Sequence, residues 1–199
     1  IFNPKKTIYT TFEFTDIAGL VKGASRGEGL GNKFLANIRE TDAICEVVRC
    51  FRDKDITHVD GSVDPVRDVE TINLELVMAD LETVDKRIGK IEKKAQTGDK
   101  EAKAEMEVLA PLKEVLEAGK MARTLTFNKE EMVYVKQFNL LTTKPMIYVA
   151  NMGEEDIEDP DSNPYYITLK EYAAKEGCDV VPICAKIESE LAALDAEDK

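Results

Sequence analysis

Three runs of this chain are apolar at nearly every position: residues 43–51, 145–151 and 179–185. They are rich in Val and Ile, which is the pattern of strands buried on both faces of a parallel sheet flanked by helices. A fourth segment, residues 11–16, alternates polar and apolar side chains and predicts a further strand. The middle of the chain has a different period. Leu74, Val77, Leu81, Val84, Ile88, Ile91 and Ala95 recur at alternating spacings of three and four. That heptad stripe predicts a helix over residues 72–97, about 39 Å long.

Thr97, Gly98 and Asp99 break the stripe, and a second one follows through Ala102, Met106, Leu109, Leu112 and Leu116. Two such stripes joined by a tight turn predict an antiparallel helical hairpin. Pro111 falls inside the second, where it removes a backbone donor and predicts a kink. Asn128 and Glu131 have the spacing of a capping box opening another helix. Shorter helices are expected at 32–39 and at 168–176, the latter ending at Gly177. The expected fold class is α/β: a mostly parallel sheet built from residues 1–72 and 140–199, interrupted by a helical coiled-coil insert over 73–139, with its hairpin at 73–127. The Lys and Glu residues on the hairpin, among them Lys86, Lys90, Lys93, Glu75, Glu82 and Glu105, are expected on a solvated face.

Composition adjusts this picture in two ways. The net charge is −12, from 39 acidic against 27 basic residues, so a general nucleic-acid-binding surface, which is basic, is not expected. An apolar fraction of 43% is enough for a core. No run approaches the ~20 apolar residues of a membrane span, and no leader pattern is present, so a cytoplasmic location is expected. Cys45, Cys50, Cys178 and Cys184 lack metal-type spacing and read as reduced thiols.

The candidate chemistry begins at Asp16-Ile17-Ala18-Gly19. Asp-x-x-Gly at a strand end, before a glycine-rich loop and a helix, is how P-loop nucleotidases sense a γ-phosphate. The Asp faces Mg²⁺, usually through water, and the Gly offers a bare backbone N–H. The whole stretch from Phe14 to Asp42 resembles the switch II region of the YchF/Obg-like ATPases, a branch of the Obg-related P-loop translation-factor GTPases. The resemblance continues through residues 49–65, 140–151 and 181–185, and so covers essentially the whole chain.

The resemblance implies several site residues. Leu20 stands where Ras-like enzymes carry the glutamine that orients the attacking water. A leucine cannot do this, and the family has the same hydrophobic replacement. His58, the single histidine, lies in a polar segment that reads as a mobile loop. It matches a loop histidine implicated in hydrolysis in the family. At Asn151-Met152-Gly153-Glu154, GTPases carry Asn-Lys-x-Asp; Glu154 moves the carboxylate by about one methylene and disturbs the pairing with guanine. Asn151 can still pair with adenine. Cys184-Ala185-Lys186 falls where related GTPases carry Ser-Ala-Lys, beside the base. Lys22 and Arg26 read as solvent-exposed loop cations, with phosphate contacts as the alternative.

No Gly-x-x-x-x-Gly-Lys-[Ser/Thr] occurs in the chain. The resemblance places that phosphate loop upstream of Ile1, and a C-terminal TGS module beyond Lys199, so the chain alone is expected to be inactive. The expected function of the intact protein is Mg²⁺-dependent hydrolysis of ATP, less well of GTP, as a switch that associates with the ribosome. Two alternatives remain: a GTP-dependent switch in ribosome assembly, and a non-catalytic interaction module working through the helical hairpin.

Overall fold

The computed structural model describes residues 6, 8, 10–17, 30–58 and 61–194, without the side chains of 30–33. Three parallel strands, β1 (Ile44–Arg49), β2 (Met146–Asn151) and β3 (Asp179–Ile183), form one sheet in that order. The register pairs Arg49 with Asn151 and Asn151 with Ile183, so the C-terminal ends of all three strands lie level. Residues 11–16 do not form the expected fourth strand. Their backbone has no ladder and Phe12 and Phe14 are 84% exposed. Alternation alone does not hold a strand, because its backbone groups need a partner edge.

Helix α1 (Leu30–Arg39) precedes β1. The predicted long helix is longer still: α2 runs over Pro65–Gln96, about 48 Å. Its start was hidden in the pair Asp64-Pro65. Asp64 accepts from the Arg67 backbone N–H as N-cap, and Pro65 sits in the first turn, where its missing N–H costs nothing. Residue 73 therefore lies well inside this helix. The first half of α2 packs on β1 and on α5 (Pro164–Glu176), and its second half packs along α3 (Lys100–Glu117).

That change of partner explains where the heptad stripe fails. Leu74 is 51% exposed, while Val69, Asn73 and Leu76 are buried against the sheet side. From Val77 through Ala95 the stripe faces inward as expected. Helix α3 is continuous across Pro111. Glu75 and Glu105, expected on the solvated face, are buried instead. Glu105 is held by the Arg87 guanidinium through two nitrogens, and Lys113 reaches Asp85 at 2.7 Å, so the hairpin is stapled by ion pairs between its helices. Helix α4 (Lys129–Phe138) opens on the predicted capping box, and α5 ends on Gly177 at φ 67°. Helix α6 (Ala185–Ala192) follows β3.

Charged groups inside the molecule are few, and one predicts a pH effect. Glu46 on β1 has its Oε2 enclosed with no hydrogen-bond partner. Burial pushes its carboxyl up from an ordinary 4.5 to about 8, against the opposing pull of the Arg123 charge and with the Asp68 charge adding to it. The folded state thus keeps a proton that the unfolded chain has lost. Stability is expected to fall as pH rises from about 4.5 to about 8, and to level off above, at about 1.4 kcal/mol per pH unit at most. Glu46→Gln is expected to flatten that slope and to raise Tm at pH 8.5. Thermal melts from pH 5 to 9 check this, and an unchanged slope in the variant would count against it.

Candidate nucleotide site

The loops at the C-terminal ends of the strands are where open α/β sheets bind ligands, and here they are tied together by side chains. Asn151, the last residue of β2, accepts the Ala185 backbone N–H on Oδ1 at 3.0 Å. The Met152 N–H donates to Ile183 O at 2.8 Å. Glu154 and Lys186 form an ion pair across the same gap, which holds the Lys186 ammonium above its ordinary pKa. Both partners are substantially exposed, so the pair adds little to stability. Its consequence is geometric: two segments 30 residues apart in the chain meet side by side. Asn151 serves as a bracket between the loops.

Met152 and Cys184, expected beside the base, are both buried. Met152 is 2% exposed and Cys184 3% exposed, so neither side chain presents a surface to a ligand. Both follow strands directly, and their side chains turn into the core. Ala185 begins α6, whose N-cap position is Cys184.

Side chains also engage the segment after β1. Arg49 ends β1, and its guanidinium donates to three carbonyls of the loop: Phe51 O at 3.1 Å, Ile56 O at 3.0 Å and Asp53 O at 3.4 Å. It also lies 4.7 Å from the centre of the Phe51 ring. Arg52 donates to the Tyr165 hydroxyl. Further along, His58 Nε2 lies 2.9 Å from Asp68 Oδ2, in the first turn of α2, with the imidazole only 15% exposed. The other oxygen of Asp68 receives two nitrogens of Arg67, at 3.2 and 3.0 Å.

Asn163 joins these loops to one another. It is buried, caps α5 by accepting from the Tyr165 and Tyr166 N–H groups, and donates to Cys50 O at 3.1 Å and to Asp156 Oδ2 at 2.7 Å. The loop after β1, the loop after β2 and helix α5 therefore share one side chain. Asn163, Arg49 and Asp68 were all missed in the sequence. For Asn163 a signal existed, since Asn before Pro marks a helix start.

The first candidate segment is only partly described. Asp16 is exposed, and Ile17 is half-buried against the core. Ala18, Gly19 and Leu20 lie outside the described residues, as do Lys22 and Arg26. The helix that follows this segment is anchored. Arg39, at the end of α1, donates to the Asn139 carbonyl at 2.8 Å, to Thr83 Oγ1 at 3.1 Å and to Asp80 at 3.4 Å. Lys144 in turn donates to Arg39 O and Thr41 O. Among the described residues no group of three or more His, Cys, Asp or Glu side chains could hold a metal ion.

Comparison with known proteins fixes the family. The chain is 57% identical over all of its 199 residues to the "Ribosome-binding ATPase YchF" of Bacillus subtilis, and 54% identical to the protein of that name from Haemophilus influenzae. This chain belongs to the YchF family. It spans 54% of the length of each of these two YchF proteins. The family described as "50S ribosome-binding GTPase" matches residues 3–80. A solved YchF GTPase from Schizosaccharomyces pombe superposes with a TM-score of 0.76 at 35% identity, covering 91% of this chain and 50% of that one. The P-loop GTPase fold of that YchF structure agrees with the parallel sheet and long helical region seen here.

Proposed function

We propose that the protein to which this chain belongs hydrolyses ATP with Mg²⁺, accepts GTP less well, and acts on the ribosome. The observation that carries the nucleotide part is the meeting of the 151–154 and 184–186 loops through Asn151, Ala185, Glu154 and Lys186. GTPases use a short carboxylate at the fourth position of the β2 loop to take both donors of guanine. Here the carboxylate is one methylene longer and is already engaged by Lys186. A site that meets guanine's donors imperfectly loses the discrimination that well-formed polar contacts give. Asn151 Nδ2 suits the N7 acceptor of either purine, so the balance moves toward adenine.

Asp16 supplies the oxygen chemistry a Mg²⁺ ion needs. Its carboxylate is exposed, and a Mg²⁺ bound to nucleotide phosphates takes only one or two carboxylates and keeps several waters. When bound, the ion would supply positive charge that neutralises charge developing on the phosphate. Asp16 orients it, Gly19 offers its N–H to the γ-phosphate, and the hydrophobic Leu20 leaves water orientation to another side chain, His58. Ile17 and Ala18 belong to the same proposed phosphate- and Mg²⁺-sensing motif, Asp16-Ile17-Ala18-Gly19. Ribosome association rests on the names borne by the relatives at 54–57% identity.

Competition between ATP and GTP for the full-length protein tests the base assignment. ATP is expected to bind more tightly, and Glu154→Asp is expected to raise GTP affinity relative to ATP by about tenfold. Tighter GTP binding by the unmodified protein would overturn the assignment.

A further inference from the structure

Asn163 is buried, yet both lone pairs of its Oδ1 and both N–H groups of its Nδ2 are engaged. Oδ1 accepts from the Tyr165 N–H at 2.8 Å and the Tyr166 N–H at 3.1 Å, which caps α5. A backbone N–H can only donate, so the orientation of the amide follows from its partners. Nδ2 therefore faces the two acceptors, Cys50 O at 3.1 Å and Asp156 Oδ2 at 2.7 Å.

Each acceptor leads to one end of the 151–154 loop. Cys50 donates its own N–H to Asn151 O at 2.8 Å, at the residue that brackets the two loops. Asp156 closes a turn by donating its N–H to Gly153 O at 3.2 Å, and Glu154 lies inside that turn. Glu154 is thus held from two sides: by its ion pair with Lys186, and by the Asp156 tether to Asn163. The ion pair is exposed and screened, so it restrains weakly. The tether runs to a buried side chain, and a short bond to a carboxylate is at the strong end of such bonds.

We propose that Asn163 is a positioning residue for purine selection: by tethering Asp156 and Cys50 it fixes the turn that presents Glu154, and so keeps that carboxylate from shifting to meet guanine. This rests on the reading of residues 151–154 as the base loop. Guanine presents two adjacent donors, N1–H and N2–H₂. A glutamate on a loose turn can retreat by its extra methylene and recover both bonds. On a turn fixed at Asp156 it cannot, since recognition groups act only within about 0.5 Å of their productive geometry. Adenine has no such donor pair and gains nothing from the retreat. The position calls for asparagine in particular. Serine or aspartate also caps a helix, but neither supplies two N–H donors.

The test is competition between ATP and GTP for the full-length protein, carrying Asn163→Ser, Asp156→Ala or Asp156→Asn, each with and without Glu154→Ala. Asn163→Ser keeps an oxygen to cap α5 and loses the amide donors. It is expected to lower the ratio of ATP to GTP affinity about fivefold, chiefly by tightening GTP. Asp156→Ala leaves the cap untouched and is expected to lower the ratio likewise, so it carries the test should Asn163→Ser fold poorly. Asp156→Asn, whose amide oxygen still accepts from Nδ2, is expected to keep the ratio of the unmodified protein. Once Glu154 is alanine, neither Asn163→Ser nor Asp156→Ala is expected to move the ratio further.

The outcomes separate. If Glu154→Ala alone leaves the ratio unchanged, the reading of the base loop fails and takes the proposal with it. If Glu154→Ala shifts the ratio but neither Asn163→Ser nor Asp156→Ala does, the proposal alone fails. Equal weakening of ATP and GTP, or a fall in the ratio that is the same with and without Glu154, would mark a merely structural role and also overturn it.

Discussion

His58→Ala in the full-length protein is expected to lower kcat for ATP hydrolysis by about 10²-fold while leaving nucleotide affinity unchanged. The argument begins with what is missing. By the motif, Leu20 is proposed to stand where related enzymes carry a water-orienting glutamine, and a leucine has no side-chain hydrogen-bonding group. His58 is the single histidine of the chain, and the structure gives it a fixed setting. The imidazole is largely sheltered and bonded to Asp68, at the end of a loop that Arg49 folds back on β1. That loop leaves the C-terminal end of β1, level with the ends of β2 and β3 where the 151–154 and 184–186 loops meet. Binding affinity should not change, because the group acts on water and not on the nucleotide. Single-turnover kinetics with a nucleotide titration check both halves. Undiminished kcat, or a loss explained wholly by weaker binding, would remove His58 from the mechanism.

The second large effect is on stability. Asp80→Ala is expected to destabilise the fold by about 3–5 kcal/mol, a large part of the ~5–15 kcal/mol typical of a native domain. Asp80 is fully buried in α2. It accepts from Leu141 N–H at 3.0 Å, from Thr142 N–H at 2.7 Å and from Thr142 Oγ1 at 2.7 Å, with Arg39 at 3.4 Å. Alanine leaves the buried Leu141 and Thr142 donors without the carboxylate they bond, and unmet buried donors cost more than a lost bond gains. The residue also joins three parts of the chain: α1 through Arg39, the long helix, and the turn before β2. In urea the midpoint is expected to fall on the order of 2 M. A shift below about 0.5 M would show that the donors find other partners. Asp80→Asn should recover only part of the loss, because its amide turns a donor toward donors.

Neither Asp80 nor Arg39 was visible as a connection in the sequence. An Asp inside an amphipathic helix reads as a surface residue, and only the fold shows that position facing the 140–142 turn. The same holds for Glu75 and Glu105, placed by charge on a solvated face and found buried. Period and composition assign average environments to residue types, and paired or capped charges are the exceptions. The heptad stripe illustrates the limit from the other side. It located α2 and α3 and their connecting turn, yet Leu74 faces outward, because the first half of α2 serves the sheet while its second half serves α3.

The sequence by itself determined the α/β class, the three central strands, the capping box at Asn128, the helical hairpin and the family. These rest on local periodicity, on end signals, and on motifs long enough to be specific. Tertiary structure alone decided the rest. Residues 11–16 have the alternation of a strand, but no partner edge in the described sheet holds them as one. The loops that bear Asn151, Glu154 and Lys186 meet because β2 and β3 pair in parallel and in register. His58 is held by Asp68, ten residues along, because a helix begins between them. Such contacts depend on where distant backbones come to lie, and a one-dimensional pattern of residue types does not carry that information.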